Sequence, residues 1–165
     1  MDSYSWGVVP TAANIVMKAT TLDEAIGLLD YFNGFHDGFI KQLSILSRDE
    51  FVSFGEQHCS GELGLEIVFA HYNYQYGKRP HDQLVEARFE GVKELTIAFS
   101  GNSYEWAVDT LTIAETERSG EVGGVEACLR ATLVQKRLNE SREWVRHEDV
   151  TFTFRGCSFR ESQAA

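Results

Sequence analysis

The densest group of chemically active side chains is the run Phe35-His36-Asp37-Gly38, which lies between a predicted helix and a predicted strand. A histidine followed directly by an aspartate can supply two adjacent metal ligands. In a β protein the same pair also has a structural role, in which His36 hydrogen-bonds the backbone of the corner and Asp37 caps a turn with Gly38. The sequence favours the structural role and retains Phe35, His36 and Asp37 as candidate binding residues.

The remaining histidines do not form a metal-binding pattern. His58 adjoins Cys59 and His81 adjoins Asp82, but a zinc site needs three or four ligands that converge at one point. The chain contains no H-E-x-x-H motif, so we predict no metal site. His71 ends a predicted strand in the phase of its buried side chains, and we expect it at the edge of the core.

A tyrosine-rich stretch is the second candidate binding region. Tyr72, Tyr74 and Tyr76 alternate with polar residues and are followed by Arg79. Tyrosine and arginine are enriched at protein contacts, so these four residues are predicted to contact a partner. The same alternation also fits an extension of an edge strand whose rings cover the core.

Motifs of the common catalytic sites are missing from the sequence. It has no G-x-S-x-G nucleophile turn, phosphate-binding loop or dinucleotide-binding glycine run. The glycines at 120–124 lack the lysine and the following helix that phosphate binding requires. We therefore expect a non-enzymatic protein without a cofactor.

One helix is predicted at about residues 21–33. Thr21 and Glu24 form a capping box, in which each side chain accepts a hydrogen bond from a backbone amide of the first turn. Gly34 can adopt a positive φ and end the helix. The apolar stripe that we expect to face a sheet is Leu22, Ile26, Leu29 and Phe32, with Ala25 beside it.

After the helix the apolar period changes from 3.6 to 2, which predicts strands with one buried and one solvated face. The alternating stretches are Phe39, Leu43 and Ile45, then 63–69, 85–89, 95–99, 125–133 and 150–154. Such strands belong to antiparallel sheets. The predicted fold is mainly β (α+β), an antiparallel sandwich or open barrel of about seven or eight strands in a single domain, 1–165. A short strand at 14–19 is also compatible with the pattern.

Two positions interrupt the alternation. Trp106 and Val108 are even-numbered whereas Leu111 and Ile113 are odd-numbered, so a β-bulge or bend is predicted near Asp109 or Thr110. Gly91 separates two stretches of matching pattern, which predicts a turn between two strands.

Charge and composition restrict the partners. The net charge is −10, from 25 acidic and 15 basic residues, which disfavours nucleic acid and suits a basic protein partner. No membrane-spanning run or basic signal segment is present. Cys59, Cys128 and Cys157 are far apart and odd in number, so we expect the reducing cytoplasm.

Several of these stretches resemble a loose family of small bacterial β-rich proteins that carry an F-H-D signature. The similar segments are the helix with Phe35-His36-Asp37, the apolar strand ending in Gly91-Val92 with the strand after it, and Phe152-x-Phe154-x-Gly156. Members are mostly uncharacterised, and some are assigned as immunity proteins of toxin systems. The resemblance implies a toxin-neutralising role. The tyrosine-bearing stretch and the extended N-terminus depart from the family pattern.

The leading functional hypothesis is a protein-binding module, with neutralisation of a basic toxin as its specific form. The alternative is a β domain that binds a small molecule or a metal, with His36 and Asp37 near the site.

Overall fold

The computed structural model describes residues 16–47, 50–53, 56–58, 62–71, 83–98, 107–120, 124–138 and 141–163. In chain order the elements are β1 (Val16–Ala19), α1 (Leu22–Tyr31), a 3₁₀ turn (Asn33–Phe35), β2 (Phe39–Ser47), β3 (Glu50–Ser53), β4 (Glu56–His58), β5 (Leu63–His71), β6 (Gln83–Ile97), β7 (Val108–Ser119), β8 (Val125–Leu138), β9 (Trp144–Phe154) and β10 (Gly156–Gln163). No helix in these ranges is both long and apolar enough to cross a membrane.

The main sheet contains eight strands and is antiparallel throughout. Its order is β1-β10-β6-β9-β8-β7, and β5 pairs with both β6 and β2. The short strands β3 and β4 pair separately. One bridge between Phe39 and Ala107 links the beginning of β2 to β7, and the sheet is otherwise open in the described ranges. The prediction of a mainly antiparallel β fold with one α-helix is confirmed.

The long strand β6 joins the two halves of the sheet. Its first part pairs with β5 and β10, and its last part pairs with β9. Gly91 has a φ of 64° and bends the strand without reversing it. The predicted turn at Gly91 is therefore wrong, because the left-handed residues Gly91 and Glu94 redirect the strand while pairing continues on both sides of them.

The capping box of α1 is confirmed. Thr21 Oγ1 accepts a hydrogen bond from the Glu24 amide at 3.4 Å, and Glu24 Oε2 accepts one from the Thr21 amide at 3.2 Å. Gly34 takes the expected positive φ, 59°. The buried side chains of the helical region are Ala25, Leu28, Leu29 and Phe32. Ile26 is 41% exposed, so its prediction as a core residue is wrong: the buried face is centred on the Ala25–Leu29 side of the helix.

The alternating strand faces are confirmed in β5, the first part of β6 and β9, which surround the core together with β10. The side chains that these strands bury in the core are Leu65, Ile67, Phe69, Val85, Ala87, Phe89, Val150, Phe152, Phe154 and Phe159. The predicted slip in β7 is also confirmed, since its register with β8 shifts between Val108 and Thr110.

Two predicted faces are partly wrong. In β2 a register shift between Ile40 and Gln42 buries Ile40 and leaves Phe39 and Ile45 exposed. At the start of β8, Val125 is 71% exposed. The alternation in β2 did not show this shift, and alternation does not show where a strand extends beyond the core, so these faces depend on tertiary packing.

Candidate binding site

The F-H-D residues lie in a tight turn that connects α1 to β2, residues 33–38, which we call the FHD turn. Asn33, Gly34, Phe35 and Asp37 all have positive φ values. The amides of Phe35 and His36 donate to the carbonyls of Phe32 and Asn33, at 2.9 and 3.0 Å. A bulky residue with positive φ is rare, so packing must hold this backbone in place.

Phe35 provides that packing. Its ring is fully buried and stacks on Phe69, with ring centroids 4.1 Å apart. The Phe32 ring also stacks with Phe35, with centroids 5.2 Å apart. Phe35 therefore has no exposed surface for a partner, and its role is to fix the turn to the core.

His36 and Asp37 point outward from the same turn. The His36 side chain is 46% exposed, and its Nδ1 lies 3.1 Å from Asp37 Oδ2. Its Nε2 lies 4.0 Å from Oδ1 of Asp109, in β7. Nδ1 is thus paired with Asp37, and Nε2 lies beyond hydrogen-bond distance of Asp109.

Two further charged residues, Asp109 and Arg146, lie near this turn. The sequence did not indicate either of them as a candidate for the site. The Asp109 side chain is buried at the bulge of β7, and Arg146 of β9 forms an ion pair with it. The signal in the sequence was the change of phase at Asp109 and Thr110. That signal predicted the bulge, but it did not show that a carboxylate there meets the FHD turn.

His71 lies beneath the turn and is buried, deeper than the expected edge of the core. Its ring packs edge-on against Phe35 and Phe32, at centroid distances of 5.4 and 6.1 Å. Neither ring nitrogen has a hydrogen-bond partner in the described structure. Burial lowers the pKa of His71 to about 4, because the charged imidazolium cannot be solvated there.

The described residues contain no group of three or more histidine, cysteine, aspartate or glutamate side chains placed to hold a metal ion. The candidate contacts Tyr72, Tyr74, Tyr76 and Arg79 lie outside the described residues. The predicted candidates that the structure describes are therefore the three residues of the F-H-D signature.

One group of charges on the sheet is paired. On its solvent face Arg88 lies 2.9 Å from both Glu66 and Glu86, and Arg160 also pairs with Glu86. Partial burial by itself raises the pKa of Glu86, but the hydrogen bonds and charges of Arg88 and Arg160 outweigh this effect and lower it. These carboxylates are neutralised within the protein.

A second ion cluster is buried where β5 begins and β7 ends. The fully buried Arg118 side chain donates to the Gly91 carbonyl and to Glu62, and Arg155 also pairs with Glu62. Since a buried arginine is stable only when its donors are satisfied, this cluster has a structural explanation.

The solvent side of α1 is acidic. Asp23 and Asp30 are exposed there, and the helix contains no lysine or arginine. Glu24 is also exposed, but its carboxylate is used in the capping box, where the amides of Thr20 and Thr21 lower its pKa. The outward side of α1 therefore carries negative charge without a basic residue of its own.

Comparison of the chain with protein-family models, curated proteins and solved structures found no match. The fold and site thus define this protein as a mainly antiparallel β protein with a single described α-helix, an F-H-D turn anchored in the core and an acidic helix on the surface.

Proposed function

We propose that this protein acts by binding a basic protein, and that the partner is a toxin which it neutralises. The observation that carries the proposal is the net charge of −10 together with exposed aspartates on α1 in a helix that contains no basic residue. Complementary charge accelerates association and selects among partners.

The geometry of the FHD turn suits binding. His36 has carboxylates near both ring nitrogens, and Phe35 is used entirely in packing. Four residues of the turn have positive φ values, and the buried ring of Phe35 packs the turn against the core. Such a rigid turn can present Asp37 and its neighbours to a partner with little entropy loss on binding.

The specific form of the proposal, toxin neutralisation, rests on the sequence resemblance to the F-H-D family. An immunity protein must bind tightly enough to keep its toxin inactive, and electrostatic steering serves this need by raising the association rate.

The test is to express the basic product of the neighbouring gene in a bacterial host, with and without this protein. We expect growth arrest by that product alone, rescue on co-expression, and a complex of the purified proteins in native mass spectrometry. Raising the salt concentration from about 0.05 to about 0.5 M should slow association, because the Debye length falls severalfold over that range.

A neighbouring gene set with no basic or toxic product would contradict the toxin role. A complex that forms at the same rate at both salt concentrations would contradict the electrostatic basis of the proposal.

A further inference from the structure

The outer face of α1 consists of Asp23, Ile26, Gly27 and Asp30, which recur at spacings of three, one and three and so share one side of the helix. All four are exposed. The opposite side, centred on Ala25, packs against the protein. The outer face is therefore acidic at both ends and has an isoleucine and a glycine at its centre.

Gly27 is not explained by packing within the protein. Apart from proline, glycine is the residue that most weakens a helix interior, and its missing side chain lets a second chain approach the helix backbone closely. No described atom lies within 4 Å of the position that a Cβ of residue 27 would occupy. The space above Gly27 is open and can accept a chain from outside.

Ile26 stands beside this open position and is 41% exposed. A single exposed apolar side chain is common. Here it adjoins a glycine on a helix surface, so a crossing helix could place an apolar side chain against Ile26 while its backbone approaches Gly27.

The two aspartates set the charge of the partner. They are seven residues apart, or about 10 Å along the helix axis. Asp30 lies in the last turn, which has no basic residue, although the negative end of the helix dipole favours cations there. The charge of Asp30 and the dipole therefore act together to attract a cation.

We propose that the outer face of α1 docks a basic amphipathic helix of the partner protein. The partner helix crosses α1 at Gly27, packs an apolar side chain on Ile26 and places lysine or arginine against Asp23 and Asp30. This inference rests on the proposed function, because it names the surface and the partner segment by which a basic protein is bound.

The probe is a synthetic helical peptide with two lysines seven residues apart and a leucine midway between them, titrated into isotopically labelled full-length protein at low salt. We expect amide shift changes to concentrate in residues 22–31. The Asp23→Asn/Asp30→Asn double variant should bind about tenfold more weakly, since two exposed ion pairs are lost.

Gly27→Leu separates binding from folding. The larger side chain enters open space and improves helix propensity, so the melting temperature should stay equal or rise while peptide binding is lost. The matched charge control is Glu115→Gln/Glu117→Gln on β7, where both side chains are exposed, and its affinity should change less than twofold.

Shift changes centred outside residues 22–31, full binding by Gly27→Leu, or no binding of the lysine peptide by the wild type would overturn this inference. The proposed function would still stand if the neighbouring basic protein bound the wild type and the Gly27→Leu variant equally. It would fail separately if no complex formed with that protein.

Discussion

The Nε atom of Arg146 in β9 donates a hydrogen bond of 2.6 Å to Oδ2 of Asp109 in β7. The Asp109 side chain is only 1% exposed, whereas that of Arg146 is 68% exposed. A solvated arginine therefore compensates a carboxylate that the β-bulge buries, close to the FHD turn.

Replacing Arg146 by glutamine should destabilise the fold by about 1–3 kcal/mol, because the buried Asp109 carboxylate loses a charged donor. The measurement is the midpoint of urea unfolding. Arg130→Gln is the matched control, since Arg130 pairs with Glu94 where both side chains are about half exposed. That variant should cost less than about 1 kcal/mol, and equal losses would show that the Asp109 pair is no stronger than a surface pair.

Stability should fall in mild acid because of His71. Its pKa is about 4 in the folded protein and about 6.5 when unfolded, so below about pH 6.5 the unfolded chain binds a proton that the folded protein does not. The stabilisation is complete above pH 6.5 and is lost as the pH falls towards 4, by about 3 kcal/mol in total.

The measurement is the free energy of unfolding between pH 7 and pH 5.5, above the range in which most carboxylates titrate. His71→Leu has a similar volume and should flatten this dependence, while the exposed His36→Gln should retain it. If the free energy of unfolding of His71→Leu fell with pH as steeply as that of the wild type, a group other than His71 would be responsible for the pH dependence.

The three residues of the F-H-D signature should differ sharply in their effect on stability. Phe35→Ala removes a fully buried ring that stacks on Phe69 and should cost about 3–5 kcal/mol. His36→Gln and Asp37→Asn change exposed side chains and should each stay within about 1 kcal/mol of wild type in chemical denaturation. If His36→Gln lowered the free energy of unfolding as much as Phe35→Ala, His36 would be needed to stabilise the turn.

Gly91→Ala should destabilise the bend of β6. The added Cβ would lie 2.6 Å from Nε of Arg155, and alanine at a φ of 64° is strained. We expect a loss of about 1–3 kcal/mol in thermal or urea unfolding. Gly124→Ala is the control, because no atom of the described residues lies within 4 Å of its Cβ position, and it should be nearly neutral. A neutral Gly91→Ala would mean that Arg155 moves away without cost.

Much of the fold was accessible from local sequence patterns. The capping residues Thr21 and Glu24 marked the start of α1, and the alternation at 63–69, 85–89 and 150–154 marked buried strand faces. These signals are local, since capping and pleating depend on residues a few positions apart. The change of phase before Leu111 marked the bulge of β7 for the same reason.

The candidate site was only partly accessible. The sequence selected His36 and Asp37, but it could not show that Phe35 points into the core while its two neighbours point outward. It also could not connect them to Asp109 and Arg146, which follow more than seventy residues later. Ile26 fitted the apolar stripe of the helix, and only the packing of α1 showed that it faces solvent.

The sequence by itself determined the mainly antiparallel β class, the one helix with its cap, the acidic charge and the slip at Asp109, because each depends on composition or on neighbours along the chain. Tertiary structure decided that Gly91 bends one long strand instead of ending it and that Gly27 opens onto solvent. It also decided that His71 is buried with no hydrogen-bond partner in the part of the chain that the structure describes. These properties depend on which distant side chains share a volume, and residue spacing along the chain does not contain that information.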